Sequence, residues 1–116
     1  MQKLTIYHNP RCSKSRETLR LITNKNLSPN IIHYLDKELT FKELKILVDL
    51  LHISPRDLLR SEEAEYKNNN LKDHNISDDD IINYMIRFPK IIQRPIVING
   101  DKAVIGRPPE NVLSII

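Results

Sequence analysis

Lys3-Leu4-Thr5-Ile6-Tyr7-His8-Asn9-Pro10-Arg11-Cys12-Ser13 is the stretch that decides the fold. Leu4 and Ile6 alternate with Lys3, Thr5 and Tyr7, the period of a strand with one buried face. Pro10 closes that strand, because it lacks an amide donor and steers Asn9 away from helix. A helix then runs from about Ser13 to Lys25. Thr18, Leu19, Leu21 and Ile22 gather on one side of it, and Lys14, Arg16, Glu17 and Arg20 are left for water. Leu27-Ser28-Pro29-Asn30 is a short connection into a second strand, Ile31 to Leu35. Strand, helix and strand in such a short span make a βαβ unit, parallel and right-handed.

Outward from this unit the pattern changes. Thr40 opens a second helix with Glu43 three residues later, a capping box, and Leu44, Leu47, Val48 and Leu51 form its apolar stripe. Ser54-Pro55 starts a short helix with proline at its first position, ending around Leu58-Leu59-Arg60. Asn68-Asn69-Asn70 is a polar break read as a loop. Ser77 caps a further helix, with Asp78, Asp79 and Asp80 at its positive end, Ile81, Ile82, Met85 and Phe88 facing inward, and Pro89 as the stop. Ile96–Ile98 and Ala103–Ile105 are strands joined through Asn99-Gly100-Asp101-Lys102, a hairpin signal. Pro108-Pro109-Glu110 opens a last helix whose Val112, Leu113 and Ile116 are expected to pack on the sheet. The order βαβ, helices, ββα is that of an α/β, thioredoxin-like fold with a mixed four-stranded sheet. It is expected as a single domain, residues 1–116, with a helical insertion at about 40–89. Fold alone assigns no function.

Composition narrows the function classes. The chain has 116 residues, 40% of them hydrophobic and 28% charged, with a mean hydropathy of -0.43, which suits one compact soluble core. No apolar run approaches the ~20 residues that span a bilayer, and the first residues show no apolar leader with a cleavage site. A single cysteine excludes an intrachain disulfide scaffold. The expected location is therefore the cytoplasm, without membrane association. The net charge of +3 is mild and no basic run of five or more occurs. Aromatic residues make up 5% with no tryptophan, so nucleic acid is not an expected partner.

Cys12 stands directly after the first strand, at the turn into the first helix. A thiolate there faces the free amides and partial positive charge of the helix start, and Arg11, Lys14 and Arg16 add cations. Buried free cysteines are often inert, but this position and these neighbours point to a reactive thiol. Ser15 occupies the place where a dithiol oxidoreductase carries its second cysteine, so any bond Cys12 forms must be broken by an outside thiol. Arg107 lies between Gly106 and Pro108, just before a helix, where a cation opposes the dipole by ~0.3–1 kcal/mol unless an anion binds there. Gly106 permits close backbone approach. Thioredoxin-like folds hold a cis proline at the start of the third strand, beside the reactive cysteine. If Arg94-Pro95 is that element, Arg94 approaches Cys12, whereas a trans bond on the surface is the default for any X-Pro pair. Arg60, read alone, is a helix-end cap. His8 is placed either to orient or deprotonate the nucleophile or simply to bond the backbone. His33, His52 and His74 show no metal-ligand spacing, and no metal is expected.

His8-Asn9-Pro10-Arg11-Cys12-Ser13-Lys14-Ser15-Arg16 resembles the active-site loop of glutaredoxin-coupled arsenate reductases. Leu58-Leu59-Arg60, Arg94-Pro95-Ile96-Val97 and Gly106-Arg107-Pro108 resemble that family's three arginine segments, and the similarity spans essentially the whole chain. The resemblance implies an arsenate reductase with Cys12 as nucleophile and Arg60, Arg94 and Arg107 on the arsenate oxygens. It also implies that His8 and Ser15 support the thiolate. Glutathione is then a co-substrate, glutaredoxin the partner, and no cofactor is held. The same superfamily includes Spx-type regulators that bind RNA polymerase. Ser15 excludes the C-x-x-C switch many of them carry, and Gly106-Arg107-Pro108-Pro109-Glu110 favours the enzyme. A monothiol oxidoreductase acting on another oxyanion is the other alternative.

Overall fold

The computed structural model describes residues 4–116 of the chain; Lys3, expected to start the first strand, lies outside them. The chain divides into two compact units, one of Met1–Lys37 with Arg94–Ile116 and one of Glu38–Gln93.

The first unit is built on a four-stranded sheet. Its strands are β1 (Leu4–Tyr7), β2 (Asn30–Ile32), β3 (Ile96–Asn99) and β4 (Lys102–Ile105). Their order is β2-β1-β3-β4, with β1 parallel to β2 and antiparallel to β3, and β4 antiparallel to β3. This is the thioredoxin-like arrangement expected. Register places Ile31, Ile6, Val97 and Val104 side by side across the four strands. Ile6 and Val97 are completely buried, and Leu4, Ile22 and Val112 complete the core cluster with them. Burying each such side chain contributes roughly 1.5–3 kcal/mol.

Helix α1 (Ser13–Asn24) turns Ser15, Thr18 and Ile22 inward and leaves Lys14, Arg16, Glu17 and Arg20 in water, as its apolar spacing requires. The hairpin between β3 and β4 closes on Asn99 and Lys102, so its turn is only Gly100-Asp101. Gly100 takes φ +66, a left-handed backbone that a side chain would strain.

Two expectations in this unit need correction. The second strand ends at Ile32 instead of Leu35, because the His33 carbonyl accepts from the Asp36 and Lys37 amides at 3.0 and 3.2 Å and turns the chain. The last helix, Pro109–Ser114, is a 3₁₀ helix. With three residues per turn, Val112 and Ile115 share a face. Leu113 points away and is 42% exposed, while Ile115 and Ile116 pack on the core.

The second unit holds α2 (Phe41–Leu51), a 3₁₀ turn (Pro55–Leu58), α3 (Ala64–Asn68) and α4 (Asp78–Arg87). Thr40 accepts from the Glu43 amide and Glu43 reaches back to the Thr40 N–H, the expected capping box. Leu44, Leu47 and Val48 are buried, whereas Leu51 is only half-buried. Ser77 caps α4 over three aspartates, and Ile81, Ile82 and Met85 face inward. Phe88 falls just beyond α4 and is half-buried, with the Arg87 guanidinium over its ring. Helix α3 fills a stretch to which no element was assigned, and the polar break expected at Asn68-Asn69-Asn70 follows it, with only Asn68 inside the helix. The helix buries no side chain, so no apolar period marks it in the sequence. No helix among the described residues is long and apolar enough to cross a membrane.

Candidate active site

Cys12 is the N-cap of α1. Its extended backbone (φ -95, ψ 123) precedes the helix, and its carbonyl accepts the first helical bond from Arg16 N–H at 3.0 Å. The first turn carries no acidic side chain, so no carboxylate competes for its positive end. The loop before it is tied by Asn9. The Asn9 carbonyl accepts from Cys12 N–H at 3.0 Å, and its Oδ1 accepts from Arg11 N–H at 3.0 Å. That second bond, from a side chain to the backbone two residues on, is an Asx turn.

Burial of the half-exposed Cys12 side chain would by itself raise its pKa. Its neighbours reverse the sign and hold it below the ordinary thiol value: the Ser15 amide, a hydrogen bond from the Arg94 side chain, the Lys14 amide, and the charge of Arg107. Cys12 Sγ makes no formal capping bond to the first turn. The amides therefore act on it as oriented dipoles more than as a cap.

Arg94 and Arg107 both reach the sulfur. Arg107 Nη2 stands 3.6 Å from Cys12 Sγ, and its Nε–H donates to the Arg94 carbonyl at 2.8 Å. One guanidinium edge is thus anchored to the backbone and another is aimed at the thiolate. Asn111 Nδ2 holds the Arg107 carbonyl at 3.1 Å from the following 3₁₀ helix. The peptide bonds Arg94–Pro95 and Arg107–Pro108 are both cis. Gly106 sits between these segments, and a Cβ there would meet Thr18 Oγ1 at 2.5 Å and Pro95 Cγ at 2.8 Å. This is the close approach expected of it.

His8 and Ser15 form the floor of the loop. Both are buried; His8 Nδ1 lies 2.6 Å from Ser15 Oγ, and Ser15 Oγ accepts from Asn9 N–H at 3.0 Å. Burial, then the charges of His33 and Arg16, push the His8 pKa down and favour its neutral form. Cys12, His8, Ser15, Arg94 and Arg107 are therefore brought together in one unit. Arg60 belongs to the other unit. There Leu59 is already extended and bridges Ile92, so Arg60 does not cap the preceding turn as expected. Its guanidinium pairs with Glu62 at 3.0 Å and Glu63 at 3.4 Å.

The model of the ArsC family matches residues 7–115. The chain belongs to the ArsC family. This ArsC chain is 46% identical over 112 residues to the arsenate reductase of Haemophilus influenzae, covering 96% of this chain and 97% of the relative. It is 44% identical to the Escherichia coli K12 protein titled "Uncharacterized protein YfgD", covering 99% of this chain and 98% of that one. The structure of an arsenate reductase from Vibrio cholerae superposes with a TM-score of 0.95 at 46% identity, over 97% of each chain.

Sequence reading passed over Asn9, Thr18 and Asn111 as members of this ArsC site. Asn9 carried a signal, since Asn-Pro in a break favours turn formation. Thr18 carried none, because its approach to Gly106 is set by the tertiary fold. Asn111 carried none either, although its partners Arg107 and Ile105 are near it in the chain.

Proposed function

We propose that the protein is an arsenate reductase that reduces arsenate to arsenite through the Cys12 thiolate, with glutathione and glutaredoxin as outside thiols in the cytoplasm. The observation that carries this reading is Arg107 Nη2 at 3.6 Å from Cys12 Sγ, with the Arg94 side chain on the same sulfur. A thiolate flanked by two planar cations is a nucleophile beside a seat for a tetrahedral oxyanion. Relatives titled arsenate reductases supply the identity of the anion.

In this mechanism Arg94 and Arg107 hold the arsenate oxygens, and the Cys12 thiolate attacks arsenic. One oxygen leaves as water, taking protons from arsenate and solvent, and an S–As bond forms. A glutathione thiolate then attacks Cys12 Sγ. The S–As bond breaks with its electron pair on arsenic, which falls from the +5 to the +3 state as the two sulfurs become a disulfide. Glutaredoxin attacks the glutathione sulfur and returns Cys12 as thiolate. His8 and Ser15 support the thiolate, and Ser15 explains why no internal thiol resolves the disulfide.

The test is arsenate turnover by the purified chain with glutathione alone, with glutaredoxin alone, and with both. Arsenite formation only when both are present is expected. No arsenite under any condition, from a protein whose Cys12 is reactive, would leave an oxyanion site for a different substrate.

A further inference from the structure

Buried His8 has a neighbour that this chemistry does not use. The exposed ring of His33 meets it edge to face, with centroids 5.9 Å apart and planes at 62°. The sheet places them there: Tyr7 pairs with Ile32, and His8 N–H donates to the Ile32 carbonyl at 2.9 Å. The residue that follows each strand therefore lies beside the other.

We propose that His33 is a positioning residue of the Cys12 site, acting through His8. The path is short. His33 stands against His8, His8 Nδ1 is 2.6 Å from Ser15 Oγ, and the Ser15 amide acts on the Cys12 sulfur. Ser15 Oγ already accepts the Asn9 N–H, which leaves one hydroxyl hydrogen to place. Neutral His8 can accept that hydrogen at Nδ1, whereas the imidazolium can only donate there. The charge on His8 thus sets where the Ser15 hydroxyl points.

Among the described residues, the charges that act on His8 are those of His33, from the end of β2, and Arg16, from α1. Arg16 is also held by the Pro10 carbonyl at 3.0 Å. Arginine keeps its charge throughout the physiological range and histidine as a residue type does not.

The inference rests on Cys12 as nucleophile, but its test needs no arsenate. The His8 ring is titrated by NMR and Cys12 by alkylation, in the wild type and in His33→Phe. Phenylalanine keeps an aromatic edge over His8 and never carries charge. The expected result is an upward shift of the His8 midpoint, and the step in the alkylation profile that tracks His8 moves up with it. An unchanged or lowered His8 midpoint overturns the proposal. So does a raised midpoint that leaves alkylation where it was. His33→Gln must shift His8 in the same direction as His33→Phe, and opposite shifts overturn it too. A failed arsenate assay would leave both titrations readable, so the two readings fail separately.

Discussion

Cys12→Ser is expected to abolish arsenate turnover to the detection limit while the protein stays folded. Cys12 is the chain's one cysteine, and a serine hydroxyl is not ionised at neutral pH, so no other group supplies a comparable nucleophile. The fold should not suffer. Cys12 is half-exposed and makes no capping bond of its own, and serine is among the favoured residues at a helix N-cap. Turnover measured beside an unfolding curve separates the two effects. Retained turnover with an unchanged curve would remove Cys12 from the mechanism.

Arg107→Ala is expected to weaken arsenate use on the order of 10- to 100-fold in kcat/KM, the loss of a hydrogen-bonding group to a charged ligand. The same change withdraws a cation that holds the Cys12 pKa down, so the thiolate midpoint should rise as well. Arg107→Lys separates charge from geometry. It restores a cation but not the planar fork whose Nε–H donates to the Arg94 carbonyl, so it should recover the thiolate midpoint better than turnover. Unchanged steady-state kinetics in Arg107→Ala and Arg94→Ala together would take away the oxyanion seat.

The parts of this site that local sequence reveals are those whose physics is local. Cys12 at a strand-to-helix turn among cations is readable because the first-turn amides follow it directly in the chain. Thr40 and Glu43 are readable for the same reason, since a capping box closes within three residues. Arg94 and Arg107 lie far from Cys12 in sequence, and only the predicted topology brings them near it. The edge-to-face contact of His8 and His33 leaves no trace in either segment, because it arises from strand pairing and the early end of β2. Leu113 was misplaced because an apolar residue in a final helix reads as core at α-helical period, and this helix is 3₁₀. Helix α3 was missed because it buries nothing.

The most direct measurement is the rate of Cys12 alkylation as a function of pH on the reduced wild-type chain. Above its folded-state pKa the sulfur is thiolate and reacts; as pH falls through that value the rate is lost. The account predicts a midpoint below the ~8.5 of a free thiol, because amides and arginines outweigh burial. A midpoint at or above ~8.5 would contradict it, since burial would then have won.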